Sequence, residues 1–184
     1  MPFEFERTDI ADVVVATPQI FSDERGYLLE SYDRTVFEEV GIDDDFQLAF
    51  YSRSRSNVLR GLHMQVEPAE QAKLVHVSQG SVFDVVVDLR GSSDTFGEHV
   101  VRTLSGDNKE ILYVPEGFAH GYLVQEDDTV VHYKASAPYS PENVEGLAWD
   151  SQTLDVDWPT DGEPILSDQD QEWPTLREWR ARRT

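Results

Sequence analysis

Short apolar runs, alternating or continuous and separated by glycine and polar turns, dominate the chain. Residues 12–17, 27–31, 46–53, 58–65, 73–77, 81–88, 99–104, 110–114, 120–125 and 129–135 each read as a strand. Period-two alternation and β-branched content mark such segments. The intervening turns include Ser78-Gln79-Gly80, Gly91-Ser92-Ser93 and Ser105-Gly106-Asp107-Asn108. Many short strands at this spacing predict an all-β sandwich or barrel. Helical signals are confined to two short stretches. One is 34–40, with Asp33 as N-cap and Gly41 as the stop; the other is 174–182, with Pro174 in the first turn and basic residues at the end. The proline-punctuated stretch 138–170 is expected to wrap over the barrel as loop and short turns.

Alternation also assigns faces. In KLVHV, 73–77, Lys73 shares a face with Val75 and Val77; in VFDVVVD, 82–88, Asp84 and Asp88 share one with Val82 and Val86. In GLHMQ, 61–65, Gly61, His63 and Gln65 lie opposite Leu62 and Met64, and Tyr133 lies opposite His132 and Lys134. Arg60 falls on the far side from His63 unless the strand bulges at Gly61, which glycine permits. Burying such polar groups is costly without partners. Two arrangements satisfy the pattern: a barrel whose mouth gathers His63, Gln65, Lys73 and Asp84, or an open, solvated face.

Composition narrows the class. With 184 residues, 39% of them hydrophobic, the chain is ample for a packed core. It reads as one domain over 1–184: a barrel core at about 45–137, N-terminal strands or arm over 1–44, and a C-terminal wrap with a short helix over 138–184. No apolar run approaches membrane-span length, and the acidic N-terminus lacks a signal-peptide core, so a soluble, cytoplasmic protein is expected. The absence of cysteine excludes disulfides and thiolate chemistry, and leaves any zinc site to His and carboxylates. A net charge of −21 disfavours nucleic acid and anionic membranes as partners. Twelve arginines stand against three lysines, Lys73, Lys109 and Lys134. That balance reads as adaptation to a high-salt cytoplasm, with an ordinary acidic protein as the alternative, and it makes Lys73 conspicuous.

Seven pieces in chain order carry a resemblance: FSDERGYLLES (21–31), VLRGLHMQ (58–65), EQAKLVHVSQGSVFDVVVDLRGSSDTFG (70–97), YVPEGFAHGY (113–122), Tyr133, YSPENVEG (139–146) and LSDQD (166–170). Together they resemble the dTDP-4-dehydrorhamnose 3,5-epimerase family. The resemblance implies a cupin-type jelly-roll barrel with a few short peripheral helices, a homodimer, and a nucleotide-sugar substrate, dTDP-linked. It implies epimerisation at C3 and C5 of a 4-keto-6-deoxyhexose, without a cofactor. His63 matches the base, because imidazole titrates near neutrality. Asp170 matches the carboxylate that orients that histidine, Lys73 the cation that holds the enolate, and Tyr133 the opposing acid. Lys73 could equally, or in addition, pair with Asp84.

By the same resemblance, Arg60 holds the diphosphate, Tyr139 contacts the nucleotide, and His120 supports the site. Gln65 and Asp84 join the substrate-binding set. Phe21, Arg25 and Glu30 reach the nucleotide from the partner subunit. His76, His99 and His132 match nothing functional. Metal-binding cupins carry His-x-His where this chain has His63 and Gln65, so no metal is expected. Two departures stand out: FxQxNxSxS becomes FQLAFYSRS, placing Leu48 and Phe50 at polar substrate-contact positions, and Gln169 replaces the usual lysine before Asp170. These leave room for a mono-epimerase or 3,4-ketoisomerase on a related nucleotide sugar, or a non-catalytic sugar-binding cupin.

Overall fold

Alternation closes the chain into two facing antiparallel sheets. The computed structural model describes residues 2–182. The first sheet has the order β1 (Phe3–Arg7), β2 (Val14–Pro18), β10 (Ile111–Val114), β7 (Lys73–Gln79), β12 (Thr129–Ala135) and β5 (Leu48–Ser54). The second has the order β13 (Val144–Gly146), β6 (Leu59–Gln65), β11 (Phe118–Val124), β8 (Ser81–Asp88) and β9 (His99–Ser105). A separate hairpin pairs β3 (Ile20–Asp23) with β4 (Gly26–Leu29). Two short helices, α1 (Arg34–Glu38) and α2 (Leu176–Ala181), lie at the periphery. This is the jelly-roll barrel with short peripheral helices that the strand pattern and the resemblance imply.

Three apolar layers hold it. Between the sheets pack Val75 and Val77 of β7, Val131 and Tyr133 of β12, Val82 and Val86 of β8, and Tyr122 and Val124 of β11. Outside the second sheet, Leu62, Met64, Val85 and Val87 meet Leu147, Leu154, Trp158 and Trp179 of the C-terminal wrap. Outside the first, Leu74 and Ile111 meet Phe37 of α1 and Ile42. Because β8 is covered on both sides, seven of its eight positions are buried, Asp84 and Asp88 among them.

At the flanks, β2 is the strand expected at 12–17, whereas β1, which extends the first sheet, and β13, which edges the second, were not expected. β1 reads FEFER, an edge strand that buries Phe3 and leaves Glu4 and Glu6 outward, so its acidic half hid it. The predicted strand at 27–31 is β4, which belongs to the hairpin, where Phe21, Tyr27 and Leu28 are more than half exposed. Asp33 caps α1 as expected, accepting from the amides of Thr35 and Val36. Pro174, however, precedes α2 instead of entering its first turn. The cap is Thr175, in a reciprocal box with Glu178. No helix is long and apolar enough to cross a membrane among the described residues.

Candidate active site

The site begins with a register break. His120 on β11 stands opposite His63 on β6, but Tyr122 stands opposite Arg60, so β6 carries one extra residue at Gly61. Gly61 has φ +104°, and a Cβ there would lie 2.5 Å from the His120 carbonyl oxygen. No other residue fits. The bulge turns Arg60 to the side of His63. Its Nε and Nη2 donate to Ser54 Oγ at 3.2 and 3.1 Å.

Four strands then converge on one interior. Lys73 at the start of β7 is buried at 7% exposure. Asp84 on β8 is fully buried and accepts from His120 Nε2, at 3.0 and 2.9 Å to its two oxygens. Tyr133 on β12 sits with its ring 6.5 Å from those of His120 and Tyr122. The Tyr122 hydroxyl is 2.9 Å from Ser52 Oγ. Asp84 therefore takes His120 as its partner. No ion pair joins Asp84 to Lys73 among the described residues, and Lys73 feels the carboxylate through space.

This environment sets the protonation states. Burial, then the charges of Lys73 and His120, hold the His63 imidazole down at about 3, so it is neutral at neutral pH. Burial lowers the Lys73 ammonium to about 8, against an opposing pull from Asp84. Burial, reinforced by Tyr122, raises the Tyr133 phenol well above its usual range, so it keeps its proton. A neutral imidazole, a cation and a protonated phenol thus share the interior between the two sheets. The imidazole projects from the second sheet, and the phenol and ammonium from the first.

The other predicted residues divide. Asp170 is buried, but its carboxylate accepts from Ser167 Oγ at 2.9 Å and Trp173 Nε1 at 3.2 Å. No hydrogen bond joins it to His63 among the described residues. It approaches the histidine indirectly: Trp173 packs on Gly146 of β13, which stands opposite His63. Gln65 spends both amide donors on the carbonyls of Ala69 and Pro138, and accepts from Ser140 N. Those bonds grip Pro138 and Ser140, the two neighbours of Tyr139, which is itself 64% exposed. Phe21, Arg25 and Glu30 are all exposed on or just beyond the hairpin. The Arg25 guanidinium pairs with Asp23 at 2.5 Å, and the structure does not bring these three to the His63 cavity.

His76 and His132 stack on each other at 4.9 Å, on the face of the first sheet opposite Tyr133. Tyr122 and Ser52 were not singled out in the sequence. Tyr122 is two residues beyond His120 on one strand, and that period-two spacing was the available signal. No group of three or more His, Asp or Glu side chains is disposed to hold a metal among the described residues.

Fold and interior together define a cupin-type jelly roll with titratable side chains facing each other across its two sheets. Comparison with known proteins makes the assignment specific. The family model for dTDP-4-dehydrorhamnose 3,5-epimerase matches residues 7–178, and the chain belongs to that family. The dTDP-4-dehydrorhamnose 3,5-epimerase of Methanothermobacter thermautotrophicus is 41% identical over 178 residues, 96% of each chain. That of Escherichia coli strain K12 is 43% identical over 173 residues, 94% of each chain. The crystal structure of the dTDP-6-deoxy-D-glucose-3,5-epimerase from Legionella pneumophila, in complex with dTDP-4-keto-L-rhamnose, superposes with a TM-score of 0.92. It is 39% identical, with 95% of this chain and 93% of that one covered. A 3'-monoepimerase from Streptomyces bikiniensis in complex with dTDP-quinovose has a TM-score of 0.90 at 30% identity, over 96% and 89% of the two chains.

Proposed function

We propose that the chain epimerises C3 and C5 of dTDP-4-dehydro-6-deoxyglucose, giving dTDP-4-dehydrorhamnose. The carrying observation is that the neutral imidazole of His63 and the protonated phenol of Tyr133 project from opposite sheets into the same interior, where the Lys73 charge reaches His63. His63 removes the proton α to the C4 ketone, and the C–H electron pair moves to the carbonyl oxygen as an enolate. The Lys73 ammonium sits against that oxygen. Tyr133 delivers a proton to the opposite face, and solvent resets both groups. Each positioned acid or base contributes roughly 10²–10⁴-fold. Asp170 acts on His63 through Trp173 and Gly146, and the His120–Asp84 pair supports the interior beside it.

Arg60 engages the diphosphate, as a guanidinium suits, and Tyr139 stacks on the nucleotide. The exposed hairpin brings Phe21 and Arg25, with Glu30 beyond it, to the partner's site in a homodimer. The whole chain acts as one domain. The acidic composition suits a high-salt cytoplasm, where ions screen self-repulsion.

Proton NMR of the protein with dTDP-4-dehydro-6-deoxyglucose in D₂O tests this reading. Deuterium at both C3 and C5 of an inverted product supports it. Deuterium at one carbon would make the chain a mono-epimerase, a migrated carbonyl a ketoisomerase, and binding without exchange a sugar-binding cupin.

A further inference from the structure

Phe50 occupies a position where the resemblance implies a polar substrate contact, and the structure gives its ring another partner. Phe50 on β5 stands directly opposite Tyr133 on β12. The two rings stack, with centroids 4.6 Å apart and planes within 9°. Phe50 is 42% exposed while Tyr133 is 9% exposed, so Phe50 is the outer layer of the stack. His120 meets Tyr133 edge-on and Tyr122 lies tilted beside it. Two residues along the same face of β5, Ser52 holds the Tyr122 hydroxyl. Positions 50 and 52 of one strand thus fix the two neighbouring phenols, one by its ring and one by its hydroxyl. An amide at position 50 would supply no such ring face and would draw water to the phenol.

We propose that Phe50 is a positioning residue for Tyr133: its stack holds the phenol in line for proton delivery on the face opposite His63 and keeps water from that ring. This rests on the reading that Tyr133 is the acid. A slack acid leaves abstraction intact, because His63 and Lys73 are untouched. The enolate then takes its proton back on the face it left, and exchange outruns inversion. Aromatic stacking of this strength corresponds to a factor of up to about tenfold.

The test compares Phe50→Asn, Phe50→Tyr and Tyr133→Phe with wild type, using the same substrate in D₂O. It measures deuterium exchange and inversion separately. Phe50→Asn is expected to keep exchange near the wild-type rate while inversion falls about tenfold. Phe50→Tyr, which keeps the stack, restores inversion. Equal loss of exchange and inversion in Phe50→Asn, or no loss of either, overturns the proposal. If Phe50→Asn is unaffected while Tyr133→Phe no longer inverts, the positioning role alone fails. If Tyr133→Phe inverts normally, the acid assignment fails and the positioning role with it.

Discussion

Lys73→Met should make the protein more stable and nearly inactive, and the size of the first effect follows from the site. The Lys73 ammonium releases its proton at about 8 instead of 10.5, because burial disfavours the charge more than Asp84 supports it. At about 1.4 kcal/mol per pH unit, holding the charge at pH 7 costs the folded chain roughly 3 kcal/mol. Methionine fills similar space with no charge. The change strands no carboxylate, since Asp84 keeps both contacts to His120. In the folded chain the proton leaves near 8 and in the unfolded chain near 10.5. Between those values the unfolded chain binds the extra proton, and wild-type stability rises with pH.

Urea unfolding at fixed protein and salt concentration is the assay. At pH 7 the variant should exceed wild type by about 2–3 kcal/mol, and the gap should shrink below about 1 kcal/mol by pH 10. Turnover should fall about 10²–10³-fold, as for loss of one preorganised oxyanion partner. A variant less stable than wild type at pH 7, or a gap that does not change with pH, would refute the account of Lys73 as a charge held at a cost for catalysis.

Three further predictions follow from named contacts. Because burial and the Lys73 charge keep His63 neutral down to about 3, kcat/KM should show no loss attributable to the base between pH 7 and 5; a limb near 6.5 would contradict that environment. Asp88 is fully buried and accepts from Arg90 N, Nε and Nη2 and from the Ser93 and Thr95 hydroxyls. Burial pushes its proton affinity up, but those bonds together bring it to about 2. Asp88→Asn should therefore cost about 3–5 kcal/mol in urea unfolding. Wild type should lose about 2.5 kcal/mol as pH falls from about 4 through 2, and the variant should show no such loss. Gln65→Leu removes the bonds on either side of Tyr139, and at about 1 kcal/mol per bond KM should rise by up to roughly thirtyfold with kcat little changed. A kcat loss as large as the KM change would instead put Gln65 in the chemical step.

Much of this site was legible because strand periodicity is strict. Lys73 goes in with Val75 and Val77, Asp84 with Val82 and Val86, and Tyr133 opposes His132, as alternation requires. The Arg60 face depended on a bulge that only glycine could host, and Gly61 supplies it. Alternation cannot show which strands become neighbours. The His120–Asp84 pair joins residues 36 positions apart, so Asp84 was as easily assigned to Lys73. Gln65 looked like a cavity residue by its face, yet loop carbonyls consume its donors. β13 is three residues long, too short for a periodic signal, although it carries the Gly146 contact that links Trp173 and Asp170 to His63. The T-x-x-E cap of α2 was readable in the sequence, but the proline beside it drew the boundary two residues early.

The most direct test of the central claim is deuterium exchange into dTDP-4-dehydro-6-deoxyglucose by wild type and by His63→Ala, followed by proton NMR, with the fold of each checked by circular dichroism. The account predicts loss of the H3 and H5 signals with wild type and retention of both with the folded variant. Exchange at either carbon by folded His63→Ala would show that another group removes the proton and would contradict the assignment.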